Sequence, residues 1–200
     1  MQRRQAMQRR QAMQWRQAMQ WWQAMRWRQV IPWIVLALLP ALATAEVTDA
    51  APNGFSCVNR AVVKAPPAQV WQAIVADVAK WWSPAHSWSG DAANFSIEAR
   101  AGGCFCEALP GGGSVEHLRV VFVQPQKLLR MTGGLGPLQA MGVAGSFSFE
   151  LSPQPDGGTR ITLTAAVGGY RAGGLDGFAA PVDRVLGEQL ARLAQFVDKH

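Results

Sequence analysis

The pattern of apolar and polar positions ends in one long amphipathic segment, residues 178–199. Within it, apolar side chains recur at spacings of three and four, which is the period of one helix face. These positions are Val182, Val185, Leu186, Leu190, Leu193, Phe196 and Val197. Pro181 suits the first turn of such a helix, where no backbone donor is required. The pattern therefore predicts a long C-terminal helix with one buried face.

Upstream of this helix, short segments alternate between apolar and polar residues and are separated by glycine and proline, which predicts antiparallel strands. The predicted strands cover residues 55–64, 94–100, 104–109, 115–124, 127–132, 146–151 and 160–167. A shorter helical stretch follows the break at Pro66 and Pro67. The order predicts an α+β fold, in which one antiparallel sheet covers the C-terminal helix.

The first 45 residues differ in character from the rest of the chain. Residues 1–24 repeat a six-residue unit of the type MQRRQA, which we interpret as a low-complexity leader before the true start at Met25. Residues 25–45 then combine a basic start, an apolar run and the small residues of ATA, the order of a secretory signal peptide. We expect cleavage after Ala45 and a periplasmic or secreted domain over residues 46–200. The apolar run is shorter than the about 20 residues of a membrane span, so no stable membrane anchor is expected.

Removal of the leader changes the charge of the protein. The full chain carries a formal net charge of +6, but residues 46–200 contain 12 basic and 13 acidic side chains, a net charge of −1. Binding to nucleic-acid phosphates requires a basic face. The predicted mature domain lacks that excess of basic residues, so we expect no nucleic-acid partner.

Several segments of residues 53–197 carry a resemblance to a known family. They are APPAQVWQAI, the Trp81-Trp82 pair, GGCFCE, GGLGPLQ, VGGY and VDRVLGEQLARL. Together they resemble the SRPBCC or START-like helix-grip superfamily, in the branch named for polyketide cyclases and for the chaperone-ATPase activator. The resemblance implies a curved, seven-stranded antiparallel sheet that grips the C-terminal helix around a cavity for an apolar ligand. It leaves the chemistry open, because one fold hosts many functions.

We predict the wall of that cavity from the apolar strand faces, the Gly-flanked segment and the helix stripe. The predicted wall comprises Trp82, Phe95, Ile97, Leu118, Val120, Phe122, Leu135, Leu138, Met141, Phe147, Tyr170, Leu186 and Leu190. Such a site holds its ligand by burial, with one or two hydrogen bonds that set the orientation. We expect a small apolar molecule or lipid as the partner, and no cofactor; a protein partner is not indicated.

Two residues of the hairpin around residues 110–113 could carry acid/base chemistry. If the turn places Leu109 opposite Val115, then Glu107 lies opposite His117, and a carboxylate facing an imidazole is a possible proton-transfer pair. The same register places both on the solvated outer face, as an ion pair worth a few tenths of a kcal/mol. A one-residue bulge would reverse that assignment.

The predicted register turns Cys104 and Cys106 towards the interior. Three alternatives remain open: small buried side chains, a disulfide that involves Cys57, and a metal or redox site. We favour the first, because a metal needs further ligands that this face does not offer, and a bridge between residues two apart would strain the strand.

Two functions therefore remain from the sequence. The favoured one is an exported binder or carrier of a small apolar or lipid-like ligand. The alternative is a cyclase- or hydrolase-type enzyme with an acid/base residue in the same cavity, for which Glu107 and His117 are the weak catalytic candidates. The outward register of these two residues favours the binder.

Overall fold

The computed structural model describes residues 44–200. Within this range the strands are β1 (Thr44–Ala51), β2 (Gly54–Val63), β3 (Phe95–Ile97), β4 (Cys104–Ala108), β5 (Ser114–Gln124), β6 (Leu128–Gly133), β7 (Ala144–Pro153) and β8 (Thr159–Gly168). The α-helices are α1 (Pro67–Ala76), α2 (Val78–Trp81) and α3 (Ala179–Lys199). The predicted α+β class with a long C-terminal helix is confirmed. The predicted leader, residues 1–24, and nearly all of the predicted signal peptide lie outside the described residues.

All eight strands belong to one antiparallel sheet, in the order β1-β2-β8-β7-β6-β5-β4-β3. The chain enters along β1 and β2, crosses through α1 and α2 to the opposite edge, and returns strand by strand to β8. The last strand then pairs with β2 along its whole length, from Gly54 opposite Gly168 to Val63 opposite Thr159. The short helices α1 and α2 both pack against α3, so all three helices lie on the same side of the sheet.

The sheet contains one more strand than the seven that we predicted. The additional strand, β1, lies at the edge and pairs antiparallel with β2. Its side chains from Ala45 to Ala50 are all exposed. Because β1 buries neither face, its sequence carries no apolar alternation, and only the backbone hydrogen bonds to β2 reveal it.

The long helix α3 closes the interior face of the sheet and packs mainly against β2. Its residues Leu186, Leu190, Leu193 and Val197 are buried, as the stripe predicted. Burial of each such side chain contributes about 1.5–3 kcal/mol before ordering entropy is subtracted. Among residues 44–200, no helix combines the length and the apolar character needed to cross a membrane.

A polar contact and a glycine set the position of α3 against β2. The side chain of Asn59 donates its Nδ2 hydrogen bond to Oδ1 of the buried Asp183 at 2.9 Å. One turn later, a Cβ atom at Gly187 would lie 2.7 Å from the Asn59 side chain. A larger residue would require the Asn59 side chain to shift, so Gly187 lets α3 approach β2 this closely while Asn59 keeps its hydrogen bond to Asp183.

Candidate functional site

A cavity of about 410 Å³ lies on the interior side of the sheet, between the start of α3, the loop after α2 and the turn after β6. Its lining is formed by Trp82, Ala85, His86, Ser87, Trp88, His117, Leu135, Gly136, Pro137, Leu138, Phe178, Pro181, Val182, Val185 and Leu186. Most of these side chains are apolar. The volume falls within the range of about 300–1,000 Å³ that is usual for small-molecule sites.

The loop after α2 forms one wall and is tied to α3. The indole Nε1 of Trp82 donates to the carbonyl of His86 at 2.9 Å, which closes the loop on itself. The amide of Ser83 donates to Oε1 of the buried Gln189 at 2.8 Å. At the surface, His86 Nε2 lies 3.2 Å from Oε2 of Glu188. These contacts hold the wall at a fixed distance from the helix.

The turn after β6 forms the opposite wall and is tied to β5. Leu138 is buried, and the side chain of Gln139 donates to the carbonyl of Glu116 at 2.8 Å. A Cβ atom at Gly134 would lie 2.6 Å from the backbone of Gln139. The segment therefore folds tightly back on itself and presents Leu135 and Leu138 to the cavity.

A bulge in β5 gives the hairpin a register that differs from the predicted one. Phe105 pairs with Leu118, whereas its neighbour Cys106 pairs with Glu116, so His117 is an extra residue without a partner. As a result, His117 and Leu118 are consecutive in the chain and both buried. A bulge of this kind re-aims a side chain. Our prediction that His117 and Glu107 lie on the outer face is wrong.

The re-aimed imidazole meets a buried carboxylate. Glu107 is 0% exposed and His117 is 3% exposed, and the Nε2 group of His117 donates to Oε2 of Glu107 at 2.9 Å. The carboxylate also accepts the backbone N–H of Trp88 at 3.1 Å, through Oε2, and that of Ser89, through Oε1. Glu107 thus anchors the loop that carries Trp88 and orients the imidazole at the same time.

Two aromatic rings hold the imidazole plane. The ring of Phe95 is stacked on His117 at a centroid distance of 5.2 Å, and that of Phe105 lies at 5.5 Å. Both phenylalanines also pack on Trp82, at 5.5 Å and 5.1 Å. The aromatic cluster continues from the imidazole into the cavity wall.

The surroundings act in opposite ways on the two ionisable groups. Burial acts to raise the pKa of Glu107, but hydrogen bonds from Ser89, Trp88 and His117 outweigh it and hold this pKa below its ordinary value. For His117, burial lowers the pKa, and the hydrogen bond and charge of Glu107 offset this only in part. The pair therefore consists of a carboxylate and a neutral imidazole at neutral pH. The second ring nitrogen, Nδ1 of His117, is buried without a hydrogen-bond partner.

The observed register also changes the face of the sheet on which two of the cysteine side chains lie. Cys104 and Cys106 are half-buried on the outer face and are joined to each other by a disulfide, whereas Cys57 is free and buried. Our expectation of inward-facing thiols is wrong, and so is the alternative of a bridge to Cys57. In residues 44–200, no group of three or more His, Cys, Asp or Glu side chains is placed to hold a metal ion.

The residues that we predicted as cavity wall have three different locations. Trp82, Leu135, Leu138 and Leu186 line the cavity. The others that lie on the interior side are buried or half-buried in the adjoining core: Phe95, Ile97, Leu118, Val120, Met141, Phe147 and Leu190. The sequence pattern thus identified residues of the interior in general, and not only those that line the cavity.

Phe122 and Tyr170 do not line the cavity, which corrects their predicted placement. A second register shift in β5, between Val120 and Phe122, interrupts the alternation and leaves Phe122 45% exposed. Its ring lies 5.9 Å from the guanidinium carbon of Arg130 on the outer face. Tyr170, in the loop before α3, is 86% exposed.

The wall also contains residues that the sequence reasoning did not assign to it. Val182 and Val185 belong to the predicted helix stripe but are only half-buried, because they face the cavity rather than the packed core. Trp88 and Pro137 come from loops, where the side chains follow no fixed repeat from which the sequence could predict their directions. The one sequence feature that could have indicated Trp88 is the concentration of tryptophan in residues 81–88.

The comparisons with known proteins agree with this architecture. The family model described as polyketide cyclase/dehydrase and lipid transport matches residues 55–197. Two similar solved structures are the conserved protein EF2215 of unknown function from Enterococcus faecalis (18% identity, TM-score 0.52, 78% of this chain and 77% of that chain) and MLL2253 from Mesorhizobium loti (20%, 0.52, 72% and 97%). At these identities the likeness shows the shared fold alone. No functionally curated protein matches the chain at a significant level.

The buried imidazole predicts a pH dependence of stability. A histidine whose pKa is lowered on folding binds fewer protons in the native state than in the unfolded state, so its contribution is present above about pH 6.5 and lost below it. We expect the free energy of unfolding in urea to fall between about pH 7.5 and about pH 5.5, above the range in which carboxylates titrate. His117→Phe should flatten this dependence, whereas His200→Gln, at the exposed C-terminus, should not. An unchanged slope in His117→Phe would contradict the assignment.

Proposed function

The chain belongs to the polyketide cyclase/dehydrase and lipid transport family, and from this premise we propose that its cavity binds a small apolar or lipid-like molecule. The observation that carries the proposal is the form of the cavity. Its walls are largely apolar, and of the buried polar atoms without a partner in the described residues, only Nδ1 of His117 belongs to a lining residue.

Such a site binds by burial and orients by hydrogen bonding. Apolar surface removed from water contributes roughly 25 cal/mol per Å², whichever apolar group supplies it. The walls offered by Trp82, Leu138 and Leu186 supply this non-directional part. A directed contact to the imidazole then selects one orientation of the ligand.

Filling the cavity should prevent binding. Val185 lines it, so Val185→Trp should weaken the binding of the neutral apolar probe N-phenyl-1-naphthylamine, measured by fluorescence titration, at least about tenfold. The matched control is Val121→Trp, because Val121 is 46% exposed and lies outside the cavity. It should change the affinity less than about twofold. Wild-type affinity in Val185→Trp would place the binding site elsewhere.

Acid/base catalysis in the same cavity is a second candidate function, which the Glu107–His117 pair favours. A base oriented by a carboxylate is the arrangement used to take a proton from a bound substrate. Nδ1 of His117 would accept a proton from a carbon next to a carbonyl group, and the electron pair of the broken C–H bond would remain in the enolate. The ionised Glu107 would stabilise the imidazolium that forms.

Proton exchange tests this second candidate without a known substrate. In D₂O, the wild-type chain should speed the incorporation of deuterium next to the carbonyl of 2-tetralone, followed by mass spectrometry. His117→Phe should reduce the rate to that of buffer while still binding N-phenyl-1-naphthylamine, because it removes the base and keeps an aromatic ring. Exchange at the buffer rate in the wild type would contradict this second candidate and leave ligand binding as the proposed function.

We also propose that the domain is exported to the periplasm or secreted. The support is the order of a basic start, an apolar run and small residues before Glu46. Cleavage after Ala45 would leave residues 46–51 of β1 in the mature domain. N-terminal sequencing of the exported protein should begin at Glu46, and Ala45→Trp should accumulate the uncleaved form. A membrane-bound wild-type product that retains Trp33 would contradict the proposal.

A further inference from the structure

We propose that the disulfide between Cys104 and Cys106 is a redox-active site, which accepts two electrons from a dithiol by thiol–disulfide exchange with the help of Arg119. The disulfide lies on the outer face of the sheet, because the alternate residues Phe105 and Glu107 are buried on the interior face. The cavity lies on the interior side. The chemistry of the disulfide is therefore independent of ligand binding in the cavity.

The bridge adds little to the connections that hold the fold together. It joins two residues of the same strand, with only Phe105 between them. The stabilisation that a disulfide provides increases with the length of the chain segment that it closes, and this segment is very short. Strand β4 is already hydrogen-bonded to β3 on one side and to β5 on the other. The bridge thus connects no two elements of the structure.

The bridge is also within reach of solvent. Cys104 and Cys106 are only half-buried, and exposed disulfides are the ones that exchange readily with thiols. Cys57 provides the contrast within the same chain. It is 1% exposed, and burial raises the pKa of its thiol to about 12, so almost none of it is thiolate at neutral pH.

Strand β5 places a cation opposite one of the two sulfur atoms. In the observed register, Arg119 pairs with Cys104 and Glu116 pairs with Cys106. The Cβ atoms of such pairs are about 4.5–5.5 Å apart. The guanidinium donates to Oε2 of Glu116 at 2.7 Å and to the carbonyl of Gly102 at 3.5 Å, and it retains further N–H donors. A thiolate on Cys104 would therefore be stabilised, whereas one on Cys106 would face a carboxylate.

This asymmetry gives the exchange a direction. A thiolate of the dithiol attacks Sγ of Cys106 and forms a mixed disulfide, and the electron pair of the broken bond leaves on Sγ of Cys104, opposite Arg119. The second thiol of the dithiol then attacks its own sulfur in the mixed disulfide, and Cys106 is released. The dithiol becomes a cyclic disulfide, and its two electrons and two protons pass to the cysteine pair.

Reduction of the folded protein by dithiothreitol tests the site. The oxidised protein is incubated at pH 7 without denaturant, quenched with N-ethylmaleimide, freed of excess reagent and digested with trypsin. Both cysteines of the peptide 101–119 should be labelled, at a rate proportional to the dithiothreitol concentration, while Cys57 stays unlabelled. A rate that levels off at the rate of unfolding would mean that the bond opens only in the unfolded chain, and would overturn the proposal.

Variants of one arginine test the direction of the exchange. Arg119→Gln should slow the reduction at least about threefold, because the leaving thiolate loses its cation, and Arg119→Lys should keep most of the wild-type rate. The matched control is Arg160→Gln, because Arg160 is also an exposed arginine but lies on β8. It should leave the rate unchanged. A wild-type rate in Arg119→Gln would overturn the role of Arg119.

Discussion

The bulge at His117 is the constraint on which the site depends. One additional residue in β5 exchanges the faces of the β4–β5 hairpin, so that Phe105 and Glu107 point inwards and the cysteines point outwards. Without it, the imidazole would lie in water and Glu107 would lose its side-chain hydrogen-bond donor. The bulge costs a ladder partner, and the buried hydrogen bond between His117 and Glu107 offsets part of that loss.

Glu107 links the bulge to the rest of the site. Its carboxylate is held by three donors from two different elements, the imidazole of β5 and two amides of the loop that carries Trp88. The same loop is joined to α3 through Ser83 and Gln189. Sheet, loop and helix are therefore positioned together, and a change in one of them reaches the cavity through hydrogen bonds rather than through soft apolar contacts.

The helix α3 has two roles along its length. In its C-terminal half the side chains of Leu190 and Leu193 are fully buried, whereas Val182 and Val185 near its start are only half-buried and face the cavity. The interior face of the sheet thus extends beyond the part of α3 that packs closely against it. A native core leaves few voids larger than a water molecule, and the unfilled end, at about 410 Å³, has instead the size of a small-molecule site.

The sequence by itself determined the fold class, the long C-terminal helix, seven of the eight strands and most of the interior. These features depend on periodicity, and the periods of helix and strand are fixed by local backbone geometry. The residues Phe147, Leu186 and Leu190 could be assigned to the interior for that reason, and the edge strand β1 could not, because it buries no face. Only the tertiary structure decided the register of β4 against β5. Both faces of residues 104–108 are partly apolar, so a register shift of one residue hardly changes how well the sequence pattern fits. The same shift changes which side chains are in contact across the two strands. The contact between Glu107 and His117, the bridge between Cys104 and Cys106, and the outward turn of Phe122 all follow from hydrogen bonds between strands, which no single segment encodes.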